Sequence, residues 1–153
     1  MSKEFLAVYA AKDTVPPSST FTPTMTTVGV HYTLSVADTT LAKGDWVYDA
    51  AQDEVRQVLM VESTTTGRLT EAFSSDLTAD TIKRIAKNTA KMVSLSIAAD
   101  KGGNITVDGV TLASGTSIVR NVNDIDAMSG GQFVTPAVVD GSTNNATVAY
   151  RKF

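Results

Sequence analysis

Apolar side chains recur with a period of two along most of this chain, and turn residues interrupt them at intervals of about 8–12 positions. That rhythm constrains the fold more than any single motif. It is clearest from Gly44 to Phe73, where three short strands are joined by two tight connections. In the first, Trp46 and Tyr48 alternate with Asp45, Val47 and Asp49, so successive side chains fall on opposite faces. The second carries Val55, Gln57, Leu59 and Val61 on one face and Arg56, Val58, Met60 and Glu62 on the other. Val58 to Val61 is apolar on both faces, which predicts a central strand covered on both sides. Ser63 to Gly67 reads as a turn. A third strand then alternates Leu69, Glu71 and Phe73 with Arg68, Thr70 and Ala72.

The rest of the chain follows the same pattern. Phe5 to Tyr9 predicts a first strand. Lys12 to Thr27 is rich in Pro, Ser and Thr, including Pro16, Pro17 and Pro23, which lack the amide donor and favour unpaired backbone. It reads either as a surface loop or as an extended arm that orders against a neighbouring subunit. Val30, Tyr32, Leu34 and Val36 point inward, with His31, Thr33 and Ser35 outward. Residues 81–92 fit a helical face capped by Asp80, and they fit a strand as well; the β neighbours favour the strand. A second unit begins near Lys91. It contains MVSLSIA, a short Ile105–Val107 strand, the hairpin signal Asp108-Gly109, the polar loop NDIDAMSGG, the strand QFVTPAVVD and a last strand from Ala146 to Tyr150. The fold class expected is all-β, with two small barrel- or sandwich-like units: residues 1–90, including an extended arm over 12–27, and residues 91–153.

Composition narrows the function. The chain has 153 residues, no Cys, one His and a net charge of −3. There is no thiolate or disulfide chemistry, and no general attraction to nucleic acid or anionic lipid follows from the charge. No stretch approaches the roughly 20 apolar residues of a membrane span, and the N-terminus lacks a signal-peptide core. A soluble protein made in the cytoplasm is expected. His31 cannot build a two-histidine metal site alone, and no nucleophile-elbow motif accompanies it. Asn121, Asn123, Asp124 and Asp126 lie near Gly130 and Gly131, an oxygen-rich set that turn formation explains as well as Ca²⁺ does. Asp45, Asp49, Asp53 and Glu54 bracket the first hairpin without an assignable partner carboxylate. Lys83, Arg84, Lys87 and Lys91 form the one basic cluster, read as a solvated or protein-facing edge. Trp46, Tyr48 and Tyr150 are the aromatics that could stack a sugar. The expectation is no enzyme, no cofactor and no metal.

The run K-G-D-W-V-Y-D, then E-V-R-Q-V, then R-L-T-E-A-F-S-S-D-L resembles small β-structured virion proteins of tailed bacteriophages. The later I-T-V-D-G-V-T-L-A-S-G-T-S and P-A-V-V-D-G-S resemble small β modules of phage capsids and tails. The Gly-Asp strand and its hairpin are also similar to head–tail joining proteins with an SH3-like barrel. The resemblance implies a non-enzymatic structural role, repeated copies in a symmetric shell or ring, and assembly in the host cytoplasm into a virion. The partners it implies are the major capsid protein or other virion subunits, together with further copies of the chain itself, and neither nucleic acid nor membrane. The leading expectation is an auxiliary, or decoration, capsid protein. The alternatives are a ring-forming head–tail connector or tail protein and a carbohydrate-binding module. Candidate subunit-interface residues are Pro16, Pro17, Phe21 and Pro23 of the arm, with Lys83, Arg84 and Lys87 of the basic cluster.

Overall fold

The computed structural model describes residues 3–100, 102–122, 133–141 and 144–152. They form strands throughout, with no helix among the described residues. In chain order the strands are β1 (Lys3–Tyr9), β2 (Asp13–Val15), β3 (Ser19–Val28), β4 (His31–Leu34), β5 (Trp46–Asp49), β6 (Glu54–Val61) and β7 (Thr66–Leu69). They continue with β8 (Asp80–Ile85), β9 (Met92–Ala99), β10 (Ile105–Val107), β11 (Val110–Leu112), β12 (Ser117–Asn121), β13 (Ala137–Asp140) and β14 (Ala146–Lys152). The chain folds as two units, Ser18–Asn88 and a discontinuous one made of Met1–Pro17 with Thr89–Phe153. The sequence reading placed all of residues 1–90 in one unit. The first two strands belong instead with the C-terminal half, because their hydrogen-bonding partners lie there.

The discontinuous unit is a sandwich of two four-stranded sheets, ordered β1-β14-β9-β12 and β11-β10-β13-β2. Its first strand pairs with its last over an unbroken antiparallel register from Lys3↔Lys152 to Tyr9↔Ala146. One face of each sheet turns inward: Leu95, Ile97, Val148 and Tyr150 from the first meet Val15, Ile105, Ala137 and Val139 from the second in one core. The Phe5 ring stacks on Tyr150 with centroids 5.0 Å apart. The Asp108-Gly109 signal forms the β10–β11 hairpin, with φ of 51° and 78°, the paired positive values that a two-residue type I′ turn requires. Asp108 Oδ1 also accepts a hydrogen bond from the Val138 amide at 2.8 Å, fastening that hairpin to β13.

The continuous unit is a closed six-stranded barrel, ordered β3-β4-β7-β6-β5-β8. Phe21, Met25, Tyr32, Leu34, Val47, Val58, Leu69 and Ile82 fill it. Residues 80–85 are a strand, as the β neighbours suggested. The Pro/Ser/Thr-rich segment is not an extended arm: residues 13–15 are β2 and residues 19–28 are β3, which closes the barrel against β8. Phe21 and Pro23 are buried there. The β3–β8 register shifts between Thr20 and Thr24. Pro23 sits within that irregularity, where its missing amide costs no ladder bond. Thr14 is fully buried, and its hydroxyl donates to the Pro16 carbonyl at 2.8 Å, so hydroxyl-rich sequence is accommodated by internal hydrogen bonds.

Two further readings change. β6 is not covered on both faces; its register with β7 shifts between Val58 and Met60, and Leu59, Met60 and Val61 at that end of the strand are exposed. The strand expected through Phe73 ends at Leu69, and the chain then bends to bring Phe73 into the core by a loop. Gly67 pairs with Tyr32 and Val61, and a Cβ there would collide with the Tyr32 hydroxyl and the Met60 carbonyl. The barrel therefore needs glycine at this point to admit the Tyr32 ring. Gly67→Ala is expected to destabilise the barrel by about 2 kcal/mol, the usual cost of overpacking a filled interior. Denaturant unfolding followed by Trp46 fluorescence reports it, since the only tryptophan lies in β5. An unchanged midpoint would mean that Tyr32 has room to withdraw.

Candidate functional site

The surface that stands out lies on the sandwich, and of its outward residues only Asn121 is singled out from sequence. Alternate residues of β1, β14, β9 and β12 turn outward, and the three registers align them in rows across the sheet. One row runs Glu4, Arg151, Ser94, Asn121. The next runs Leu6, Ala149, Ser96, Val119, and the third Val8, Thr147, Ala98, Ser117. The two central strands thus contribute mainly Ser, Ala and Thr, whereas apolar side chains stand at the edges. Leu6 is 76% exposed, Val8 63% and Val119 62%. Between the edges lies a shallow depression of about 330 Å³ bounded by Glu4, Ser94, Ser96, Val119, Asn121 and Arg151. Such a face offers close approach to backbone and apolar contact at its margins, with no constellation for bond chemistry.

The inner side of the same sheet is sealed. The Tyr9 hydroxyl donates to the Thr14 carbonyl at 2.8 Å, and burial above all, then the Asp13 carboxylate and Tyr150, pushes its ionisation far above the ordinary phenol value. Tyr150 is raised as well, by burial. Tyr48 and Tyr150 both lie in protein interior. Of the three aromatics that could stack a sugar, Trp46 alone keeps part of its surface.

The residues proposed from sequence as an interface do not gather into one. Pro16 is buried, at a cis peptide bond with Val15, and Phe21 and Pro23 are buried in the barrel unit. Pro17, Lys83 and Lys87 are exposed. Arg84 turns to a structural task. Its Nε lies 3.4 Å from Asp45, and its Nη1 donates to the Thr40 hydroxyl at 2.8 Å. Asp45 is 2% exposed and accepts from the backbone amides of Ala42 at 2.9 Å and Lys87 at 2.8 Å. A buried carboxylate so provided with donors ties the segment before β5 to β8 and to the residues that follow it. Arg84 of the basic cluster and Asp45 beside the hairpin are therefore partners, a link that linear sequence conceals.

Other acids are used in the same way. Glu54 accepts from the Ser74 amide at 2.9 Å and from Arg56 at 2.9 Å, while the Arg56 guanidinium lies 5.3 Å from the Phe73 ring centroid. Burial pushes the Glu54 carboxyl up, but the hydrogen bonds from Ser74 and the Arg56 charge together outweigh it and hold the group below its ordinary 4.5. Asp38 likewise accepts from the amides of Thr40 and Leu41 at 2.8 Å. Burial raises it, and these amides, the Thr40 hydroxyl and Arg84 bring it below 3.8. His31 is exposed on the barrel, opposite Arg68 on β7. Among the described residues no group of three or more His, Asp or Glu side chains is placed to hold a metal. Asn123, Asp124, Asp126, Gly130 and Gly131 lie outside the described residues.

Asp45→Ala is expected to cost the barrel about 3 kcal/mol, because it strands two part-buried amide donors and a partly buried guanidinium. Arg84→Ala costs less, since Asp45 keeps its amide donors; equal losses in denaturant unfolding would overturn that ranking. Acid should act through Asp38 and Glu54. Both pKa values are depressed by folding, so their stabilisation is complete above 3.8 and 4.5 and is lost as the pH falls through the lowered values. An Asp38→Asn/Glu54→Gln double variant should show a flatter acid limb in the Trp46 unfolding midpoint than the parent chain. The sequence matches no family model, and neither a curated protein nor a solved structure matches it.

Proposed function

We propose that the chain is a non-enzymatic structural component of a tailed-phage virion, an auxiliary protein that binds the assembled capsid shell and stabilises it. The observation that carries this reading is the outer face of the β1-β14-β9-β12 sheet, where small side chains floor the centre and apolar ones stand at the margins. A floor of Ser94, Ser96, Ala98 and Ala149 lets another surface approach closely without displacing bulky groups. On a symmetric shell the same modest contact repeats at every site, and avidity supplies what each contact area lacks. The partner class comes from the resemblance of residues 43–77 and 105–117 to phage virion modules. The placement of the acids is in keeping with it, since Asp38, Asp45 and Glu54 are committed to holding loops.

Co-sedimentation with empty shells of the virion that carries the protein tests the reading. The chain should pellet with assembled shells and stay in solution with unassembled coat protein. Ser96→Arg, which plants a long charged side chain on the floor, should abolish pelleting. Val28→Arg, at an exposed barrel position, should leave it intact. Absence of the parent chain from the pellet would defeat the shell reading, and a closed ring of fixed copy number by native mass spectrometry would favour the connector instead. Full binding by Ser96→Arg would move the contact elsewhere on the molecule.

A further inference from the structure

We infer that a second copy of this chain adds edge to edge to the same sheet, β12 of one copy pairing with β1 of the next. The inference rests on the register of the sheet alone and is independent of the shell-binding reading.

The hydrogen bonds decide which backbone groups the edges offer. In β9 the Ala99 amide donates to Thr116 at 2.9 Å, and its carbonyl accepts from Gly115 at 3.0 Å; the Val93 carbonyl accepts from Val122 at 3.0 Å. Odd-numbered residues of β9 thus turn their backbone groups toward β12, and even-numbered ones toward β14. Antiparallel ladders alternate strictly, so the pattern propagates across each registered pair. On β12, Ile118 and Arg120 are turned toward β9, which leaves the amides and carbonyls of Ser117, Val119 and Asn121 directed outward. On β1, Phe5, Ala7 and Tyr9 are turned toward β14, and Glu4, Leu6 and Val8 face outward. Among the described residues no strand pairs with either outer edge.

The two edges match each other. Four alternating antiparallel strands leave β1 and β12 running in opposite directions, so a second copy in the same orientation meets β12 with an antiparallel β1. The outward-facing backbone belongs, on both edges, to residues whose side chains lie on the outer face. Setting Val119 opposite Leu6 of the next copy also sets Asn121 opposite Glu4 and Ser117 opposite Val8. These are the two ends of each existing row, so the match is polar to polar and apolar to apolar in the first two rows. The register from Lys3 to Tyr9 contains no shift and neither edge strand carries a proline; the charges present are Lys3 and Glu4 on β1 and Arg120 on β12, the last engaged with Asp108 at 3.1 Å. The join is head-to-tail. It leaves one β1 and one β12 free at the ends and admits further copies.

Cysteine cross-linking tests this on a background free of natural thiols. A Leu6→Cys/Val119→Cys double variant, mildly oxidised, should give a ladder of dimers, trimers and higher species on a non-reducing gel that collapses with reductant. Within one chain the two positions are three strand spacings apart, about 14 Å, so an internal disulfide cannot compete. Each single variant should remain monomeric when oxidised alone, and an equimolar mixture of the two should stop at the dimer. Dimers from Leu6→Cys alone would replace the model with a β1–β1 pairing, and absence of any ladder from the double variant would overturn it. Both positions are exposed, and circular dichroism confirms that each variant is folded before oxidation. As a second readout, sedimentation velocity should show the parent mass rising with concentration and the Leu6→Lys/Val119→Lys variant staying monomeric.

Discussion

The pairing of the first strand with the last is the constraint on which the rest of this molecule depends. β1 lies against β14 through a continuous register, and β2 lies against β13, so both sandwich sheets are completed by the opening residues of the chain. Without β1, the face of Tyr150 that stacks on Phe5 and the inner side of β14 would be open to water. Pairings of such sequence separation incur a large loop-closure entropy before any contact offsets it. The intervening chain reduces that burden by forming a compact unit from contiguous sequence: every strand of the barrel falls between Ser19 and Ile85, and its buried core cluster lies within that span. A closed barrel inserted between β2 and β9 replaces a long flexible loop by a compact body.

What could be read from the sequence follows from the same distinction between local and distant contacts. Alternation is local, and it marks β4, where Tyr32 and Leu34 are buried between exposed His31 and Thr33. Turn chemistry is local too, and Asp108-Gly109 does in the structure what its residue types require. The choice of partner strand is not local. Nothing in FLAVY says that it belongs with TVAYR at the other end of the chain, so a division at residue 90 is the natural reading and misassigns the first strands. Apolar residues on both faces of a strand are ambiguous for a related reason. They can mean a covered central strand, or a strand end past a register shift that stays exposed, as at Leu59 to Val61.

The candidate site illustrates the limit more sharply. Pro16, Pro17 and Pro23 suggest an arm because proline lacks the amide donor and favours unpaired backbone. The structure absorbs them by a register shift beside Pro23 and a buried hydroxyl at Thr14. Arg84 and Lys87 looked like a free basic edge, yet one neutralises Asp45 and the other lends it a backbone amide. Near the barrel loops the acids Asp38, Asp45 and Glu54 accept from backbone amides left over where strands end, while Arg56 donates to backbone carbonyls. The signal that was present, and is visible only after the register is known, is the placement of Leu6, Val8 and Val119. Each is an apolar residue at an outward position of its strand.

The two units solve the same physical problem in opposite ways. Every β-sheet must dispose of the unpaired amides and carbonyls at its edges. The barrel does so by closure: β8 returns to β3, and the six strands leave no edge. The sandwich remains open, with edge strands β1 and β12 bounding one sheet and β2 and β11 bounding the other. Water can satisfy exposed backbone groups, so an open edge alone requires no partner. Water does not, however, favour the Leu6 and Val119 side chains that flank those groups, since exposed apolar area is released from solvent only by contact with another surface. Hydrogen-bonding capacity and apolar area coincide at the outward residues of both edges. That coincidence gives a strand added there two sources of stabilisation at once, and in fixed register, because a slip of one residue would turn its side chains to the opposite face.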